Sequence, residues 1–235
     1  MQKKSALQKK LMSSFRRNLL TVILMVAGYC GYIAGCTHDD EVLSSQGPNI
    51  ERGEEKVSLE STNTSFDKAH SNVQWASSYL GATSLLTGRF DNFGFYIFNF
   101  DESNAAGINF SAWVWLNSVN TSEPGRDEGC LLDTYGTDGT LTTEDENLAI
   151  ITSKKVELST TDKGYNVTAD LVFHGVTKEV TCKMNFDGKT LSGANNVYGF
   201  SLQFQFLAKT DFLIVSSNVG DNADVKCNAV FRVTN

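Results

Sequence analysis

The chain has 235 residues, 41% hydrophobic and 11% aromatic, with 2 prolines and 19 glycines, which excludes collagenous and disordered classes and suffices for one globular domain with appendages. Twenty bases against 27 acids give a net charge of −7. The first 35 residues hold six bases (Lys3, Lys4, Lys9, Lys10, Arg16, Arg17) and no acid, leaving 14 bases against 27 acids in the rest. Such an acidic body repels phosphate backbones and anionic membrane surfaces, so no nucleic-acid partner is expected.

Those bases precede an apolar run from Leu19 to Ile33. At fifteen residues it is short of the roughly 20 a membrane span needs. A basic n-region, a short apolar h-region and a small-residue exit form an export signal over residues 1–35. The exit, Ile33-Ala34-Gly35-Cys36, resembles a bacterial lipobox. That resemblance implies cleavage before Cys36 and acylation of its sulfur and new amino terminus, with several buried chains at about 0.8 kcal/mol per CH₂ anchoring the protein to a membrane. Residues 36–56 are polar and acidic, contain Gly47-Pro48 and read as a flexible tether. Its start, His38-Asp39-Asp40-Glu41, resembles the export flag of some surface lipoproteins. The expectation is an outer-membrane lipoprotein of the cell envelope, facing the periplasm or displayed at the surface.

Residues 57–235 alternate with period two. Candidate strands run Val73–Tyr79, Tyr96–Phe100, Phe110–Leu116, Ala149–Val156 and Tyr165–Phe173; after a hairpin at His174-Gly175 come Val180–Phe186, Phe200–Phe206 and Val225–Val233. No long amphipathic helix intervenes, so the strands pair antiparallel. The expected fold is all-β, an antiparallel eight-stranded lipocalin-like β-barrel, whose interior either is filled by side chains or holds one small ligand. The same register turns Phe110, Ala112, Val114 and Leu116 inward and Trp113 and Trp115 outward, where they either sit under a cover or mark a contact surface.

Several segments resemble one family. They are Asp67-Lys68-Ala69-His70-Ser71 with Trp75, Thr87-Gly88-Arg89-Phe90, Phe98-Asn99-Phe100-Asp101-Glu102, Ser118-Val119-Asn120-Thr121, and Gly125-Arg126-Asp127-Glu128. The most specific is Ala169-Asp170-Leu171-Val172-Phe173-His174-Gly175-Val176-Thr177-Lys178-Glu179-Val180, followed by Lys209-Thr210-Asp211-Phe212. In this order they resemble the YceI-like family, lipocalin-like barrels associated with polyisoprenoid or other long-chain lipid binding. Gly129 and Tyr79 stand where the family has histidines, Cys130 where it has Leu, and Asn147 where it has Pro. Relatives dimerise, which is consistent with this chain, although no residue pattern demonstrates a homodimer.

The resemblance and the register together give a candidate lipophile site on the inward faces: Val73, Trp75, Phe98, Phe100, Val114, Ala169, Leu171, Cys182, Phe200, Leu202, Phe204, Phe206 and Cys227. Arg126 and Lys209 are candidates for a polar head group, since cations suit phosphate or carboxylate. The three histidines (His38, His70, His174) lie in the tether, before the first strand and at the hairpin, and form no catalytic or metal-binding motif. Asp133 to Gly139 looks superficially like a calcium loop, but Asp138 stands where an EF-hand needs Gly. Cys130, Cys182 and Cys227 are an odd number, so at least one thiol stays free or pairs between molecules. The expected function is non-catalytic, cofactor-free sequestration or transport of an isoprenoid, quinone-like lipid or fatty-acid derivative. The alternative is a filled barrel acting as an adhesion or assembly module through Trp113, Trp115 or loops.

Overall fold

The computed structural model describes residues 52–79, 84–129 and 147–235; the expected export signal, Cys36, Cys130 and the Asp133 loop lie outside them. The described residues form twelve strands: β1 (Lys56–Ser58), β2 (Thr64–Phe66), β3 (Asn72–Tyr79), β4 (Ser84–Phe90), β5 (Phe93–Asp101), β6 (Asn109–Trp115), β7 (Val119–Asn120), β8 (Leu148–Leu158), β9 (Tyr165–Phe173), β10 (Val176–Ser192), β11 (Asn195–Leu207) and β12 (Val219–Thr234). They pair antiparallel throughout in one curled sheet of order β1-β5-β6-β8-β9-β10-β11-β12-β3-β4-β7, with β2 on β12. The expectation of eight strands is corrected to twelve. Three of the added strands are only two or three residues long. The fourth, β4, hides its alternation behind Leu85-Leu86 and Gly88.

The β9–β10 hairpin forms where the alternation breaks. His174 (φ +52°) and Gly175 (φ +70°) both lie in the left-handed region, the geometry of a two-residue turn whose twist matches the flanking strands. Phe173 then faces Val176, and the register runs unbroken to Tyr165 opposite Met184.

Between β4 and β5 the chain turns a corner at Asp91-Asn92, and the two strands share no ladder. The corner is stapled instead to the end of β6 and to β7. The Asp91 N–H donates to the Ser118 carbonyl, and the Trp115 N–H donates to the Asn92 carbonyl, both at 2.9 Å. Asn120 Nδ2 donates to Asp91 Oδ2 at 2.7 Å. The corner carries the sheet from β3–β4 to β5–β6, so that Phe90 on one flank and Phe93 and Phe95 on the other border the same interior.

One end of that interior is packed solid with rings. Phe231, 0% exposed, stacks on Phe98 at 4.2 Å and touches Phe66, Phe95 and Phe200 at 5.4–5.8 Å. Phe100 extends the cluster to Phe200, Phe186 and Tyr165. Aromatic pairs in these tilted arrangements add to the stabilisation from burial alone. The incoming chain docks on the same end, which corrects the last part of the expected tether. Arg52 donates to the carbonyls of Lys163 and Gly164 and lies over the Tyr165 ring at 4.7 Å. Glu55 accepts from Lys189 and from the Tyr198 hydroxyl at 3.0 Å.

Because four rings close on Phe231, Phe231→Ala should lower unfolding free energy by about 3–5 kcal/mol, read from urea melts. A loss below about 1 kcal/mol would show that the ring cluster is not what closes this end.

Candidate functional site: an apolar cavity in the sheet interior

Beyond the ring cluster the interior is not filled. A cavity of ≈170 Å³ lies there, walled almost wholly by carbon. Since about 10–15 Å³ of such space admits one water, it has room for on the order of ten to fifteen groups of that size. Its walls come from β3 to β6 and from β8 to β12. It reaches the end of the sheet where Leu116 and Ala208 follow β6 and β11, Phe173 ends β9, and Val219 and Gly220 begin β12.

Ten of the thirteen residues expected on the inward faces line this cavity: Val73, Trp75, Phe98, Val114, Leu171, Phe200, Leu202, Phe204, Phe206 and Cys227. The other three are corrected. Phe100, Ala169 and Cys182 are 3%, 0% and 2% exposed and belong to the packed core at and beside the closed end. They share the inward parity but sit where neighbouring side chains leave no space.

The wall also includes residues that the expected site lacked. Phe110, Phe173, Met184 and Val225 have the same parity as their expected neighbours and were legible in the alternation. Phe93 and Phe95 were not. A register shift between Phe95 and Ile97 reverses which alternate residues point inward, so an alternation read from Tyr96 onward does not extend back to them. The shift leaves Tyr96 and Ile97 exposed on the outside. Trp113, expected outward, contacts Tyr96 and Trp115 through its ring at 6.2 and 6.5 Å. It lies across Gly94, where a Cβ would come within 2.9 Å of the indole. Trp113 and Trp115 are both partly buried, and Trp113 also borders the cavity.

Trp75 marks the wall chemically. It packs on Gly88, whose missing side chain makes room: a Cβ there would stand 2.7 Å from the indole ring. Its N–H is buried with no hydrogen-bond partner among the described residues, a cost of about 1–3 kcal/mol. Ser77 is the one buried hydroxyl on the wall, and its Oγ donates to the Asn222 carbonyl at 3.0 Å, inside the β3–β12 irregularity between Val219 and Ala223.

The two head-group candidates part company. Arg126, on the short helix Pro124–Gly129, donates through Nε to Thr121 Oγ1 (3.0 Å) and through Nη2 to the Thr121 carbonyl (3.3 Å). Asp127 accepts from the Thr121 N–H at 2.7 Å. The pair fixes its own loop and, among the described residues, is not part of the cavity wall, which corrects the expectation for Arg126. Lys209 follows the wall residue Ala208 at the end the cavity reaches, and its N–H donates to Asp221 Oδ1 at 2.7 Å. The Thr210 hydroxyl and N–H beside Asp221 hold that carboxyl below the usual carboxylate range.

An antiparallel sheet curled around an apolar cavity, closed at one end by aromatic rings, defines a protein of lipocalin-like architecture. The chain belongs to the YceI-like domain family, whose model matches residues 65–231, from β2 into β12. It is similar to a UPF0312 protein of Vibrio vulnificus, 31% identical over 120 residues, which is 51% of this chain and 59% of that protein. The chain thus spans 59% of the curated relatives it matches. Among solved structures it resembles Burkholderia cenocepacia BcnA (TM-score 0.57, 19% identity, 71% of this chain and 99% of that one). It also resembles a polyisoprenoid binding domain from Saccharophagus degradans implicated in plant cell wall breakdown (TM-score 0.50, 18% identity, 74% and 99%). A third likeness is to a mutant Campylobacter jejuni YCEI protein holding a monobromobimane guest (TM-score 0.54, 20% identity, 65% and 87%).

Burial pushes the Cys182 thiol up to about 12; burial, reinforced by the neighbouring Cys182, does the same for Cys227. Folding therefore favours the protonated thiols. This contribution is complete below the unfolded value near 8.5 and is lost as pH rises toward 12. At pH 8 iodoacetamide should alkylate both cysteines about a thousandfold more slowly in the native protein than in urea, followed by peptide mass mapping. Equal rates would show that this side of the wall opens freely.

Proposed function

We propose that the protein binds and sequesters a long-chain lipophile, with one apolar segment held in the cavity. The observation that carries this reading is unfilled apolar space in a domain that packs aromatic rings tightly at its other end. A relative in the solved structures is described as polyisoprenoid binding, and an isoprenoid, quinone-like lipid or fatty-acid derivative would suit the same walls. Enclosing about 250 Å² of ligand surface gives an upper estimate of roughly 6 kcal/mol at 25 cal/mol per Å². The space admits a segment of on the order of ten carbons. A longer chain extends past Val219 and Gly220, near Lys209, where a polar head group meets water. Within this reading the protein acts by holding its cargo out of water and needs no catalytic group. Acylation at Cys36 would keep it at the cell envelope, as an outer-membrane lipoprotein facing the periplasm or the outside.

The ring cluster of exposed Tyr96 with the partly buried Trp113 and Trp115 favours the second reading, an interaction module with an unused interior. Native mass spectrometry of the Gln46–Asn235 unit, purified without detergent, separates the two. The carrier reading expects a bound mass of a few hundred daltons that extracts as a lipid. A bare protein that takes up neither isoprenoids nor fatty acids would overturn it. Ala223→Phe, which adds a ring to the wall, should weaken lipid uptake at least tenfold while circular dichroism stays native.

A further inference from the structure

The end that the cavity reaches carries a feature the carrier reading leaves unused. Between β11 and β12 the chain forms a short helix, Ala208–Phe212, and then a turn. Phe212, Ile214 and Ser216 are buried, while Leu213 and Val215 between them are 66% and 92% exposed. The turn is firmly held. The Leu213 N–H donates to the Lys209 carbonyl and the Ile214 N–H to the Ala208 carbonyl, both at 3.2 Å. At the other end of the helix Asp221 accepts from the N–H groups of Lys209 and Thr210 at 2.7 and 3.0 Å.

Leu213 stands at φ +61°, the left-handed position that ends the helix. Glycine or asparagine usually takes this place, because a branched side chain is strained there. A large apolar residue is thus held in an unfavourable conformation and turned to water. Tyr79, paired with Val219, and Leu85, paired with Ser78, add exposed apolar surface at the same end. Among the described residues around the tip the charges pair off: Lys178 lies 3.8 Å from Asp211, and Lys209 stands beside Asp221. The rest of the domain is strongly acidic.

We propose that the Leu213–Val215 tip is a membrane-docking element that inserts into a bilayer surface and sets the end of the cavity against it. This rests on the carrier reading: a long-chain lipophile scarcely enters water, so it passes most readily where cavity and bilayer meet. The tip is built into the wall, since Phe206 and Ala208 precede it and Val219 follows it. A fluid lipid surface fits it better than a protein does. Four scattered side chains fall far short of the roughly 800 Å² per partner of a stable protein interface, whereas insertion into lipid needs no matching shape. Local charge balance also spares the tip the repulsion that the acidic body would meet at an anionic surface.

The test uses the full chain with an environment-sensitive fluorescent amino acid at position 215, mixed with phosphatidylcholine vesicles whose acyl chains are brominated. The control label replaces Leu191, which is 66% exposed at the opposite end, on the β10–β11 hairpin. At least threefold quenching at 215 with none at 191 is expected; equal quenching, or none at 215, would overturn the proposal. Concentration-dependent burial of the 215 label without vesicles would assign the tip to a second copy and overturn it too. Leu213→Asn suits the left-handed backbone and so keeps the fold. It should slow lipid transfer from vesicles about tenfold and leave equilibrium loading unchanged; an unchanged rate counts against docking. An unquenched tip on a lipid-loaded protein defeats docking alone, and a quenched tip on a protein that never loads lipid defeats the carrier reading instead.

Discussion

A single sheet that encloses an interior must change direction somewhere without exposing a row of unpaired backbone groups. Here the change falls on Asp91-Asn92, and its backbone groups pair with Trp115, the last residue of β6, and with Ser118 just beyond it. Asp91 also takes Arg89 and Asn120 on its carboxylate, which fixes both sides of the turn. Because the corner is held from outside, Phe90, Phe93 and Phe95 can all face inward within a few residues of one another. Cavity, aromatic plug and outer tryptophan face all depend on that geometry.

The interior is then divided by side-chain volume. Large rings meet from β5, β11 and β12 at one end and leave no space. Toward the other end the facing positions become smaller, with Ala112, Ala149, Ala223 and Gly220 set among the remaining rings. β5, β11 and β12 contribute to both regions, so the same alternation yields a packed core and a hollow within one sheet. Stability therefore concentrates at the end where the chain enters, and the hollow end adds less to it.

Much of this was legible in the sequence, and the limits have physical causes. β9 spans Tyr165–Phe173 as its alternation indicates, because a clean period of two over nine residues admits one register. The position of the cavity along that face was not legible: Leu171 and Ala169 share a parity, yet only Leu171 meets empty space. That distinction depends on what stands opposite, which no single strand encodes. Phe93 and Phe95 were hidden by one irregularity, since a single extra residue reverses inside and outside for everything before it. Arg126 was misplaced for another reason. An arginine beside an aspartate reads equally as a ligand clamp or a loop clasp, and Thr121 decides it by accepting from Arg126 and donating to Asp127.

The docking of Arg52 and Glu55 on the ring-filled end has a mechanical consequence. Whatever lies upstream transmits tension to the domain first through Arg52 and Glu55 and then through β1, whose three residues pair with Asp101, Phe100 and Asn99. A pull along the chain is thus borne by the most densely packed part of the molecule, beside Tyr165 and Tyr198. The far end, with its smaller side chains, stays unloaded. The domain is thus gripped at its filled end, much as a flask is held by its base.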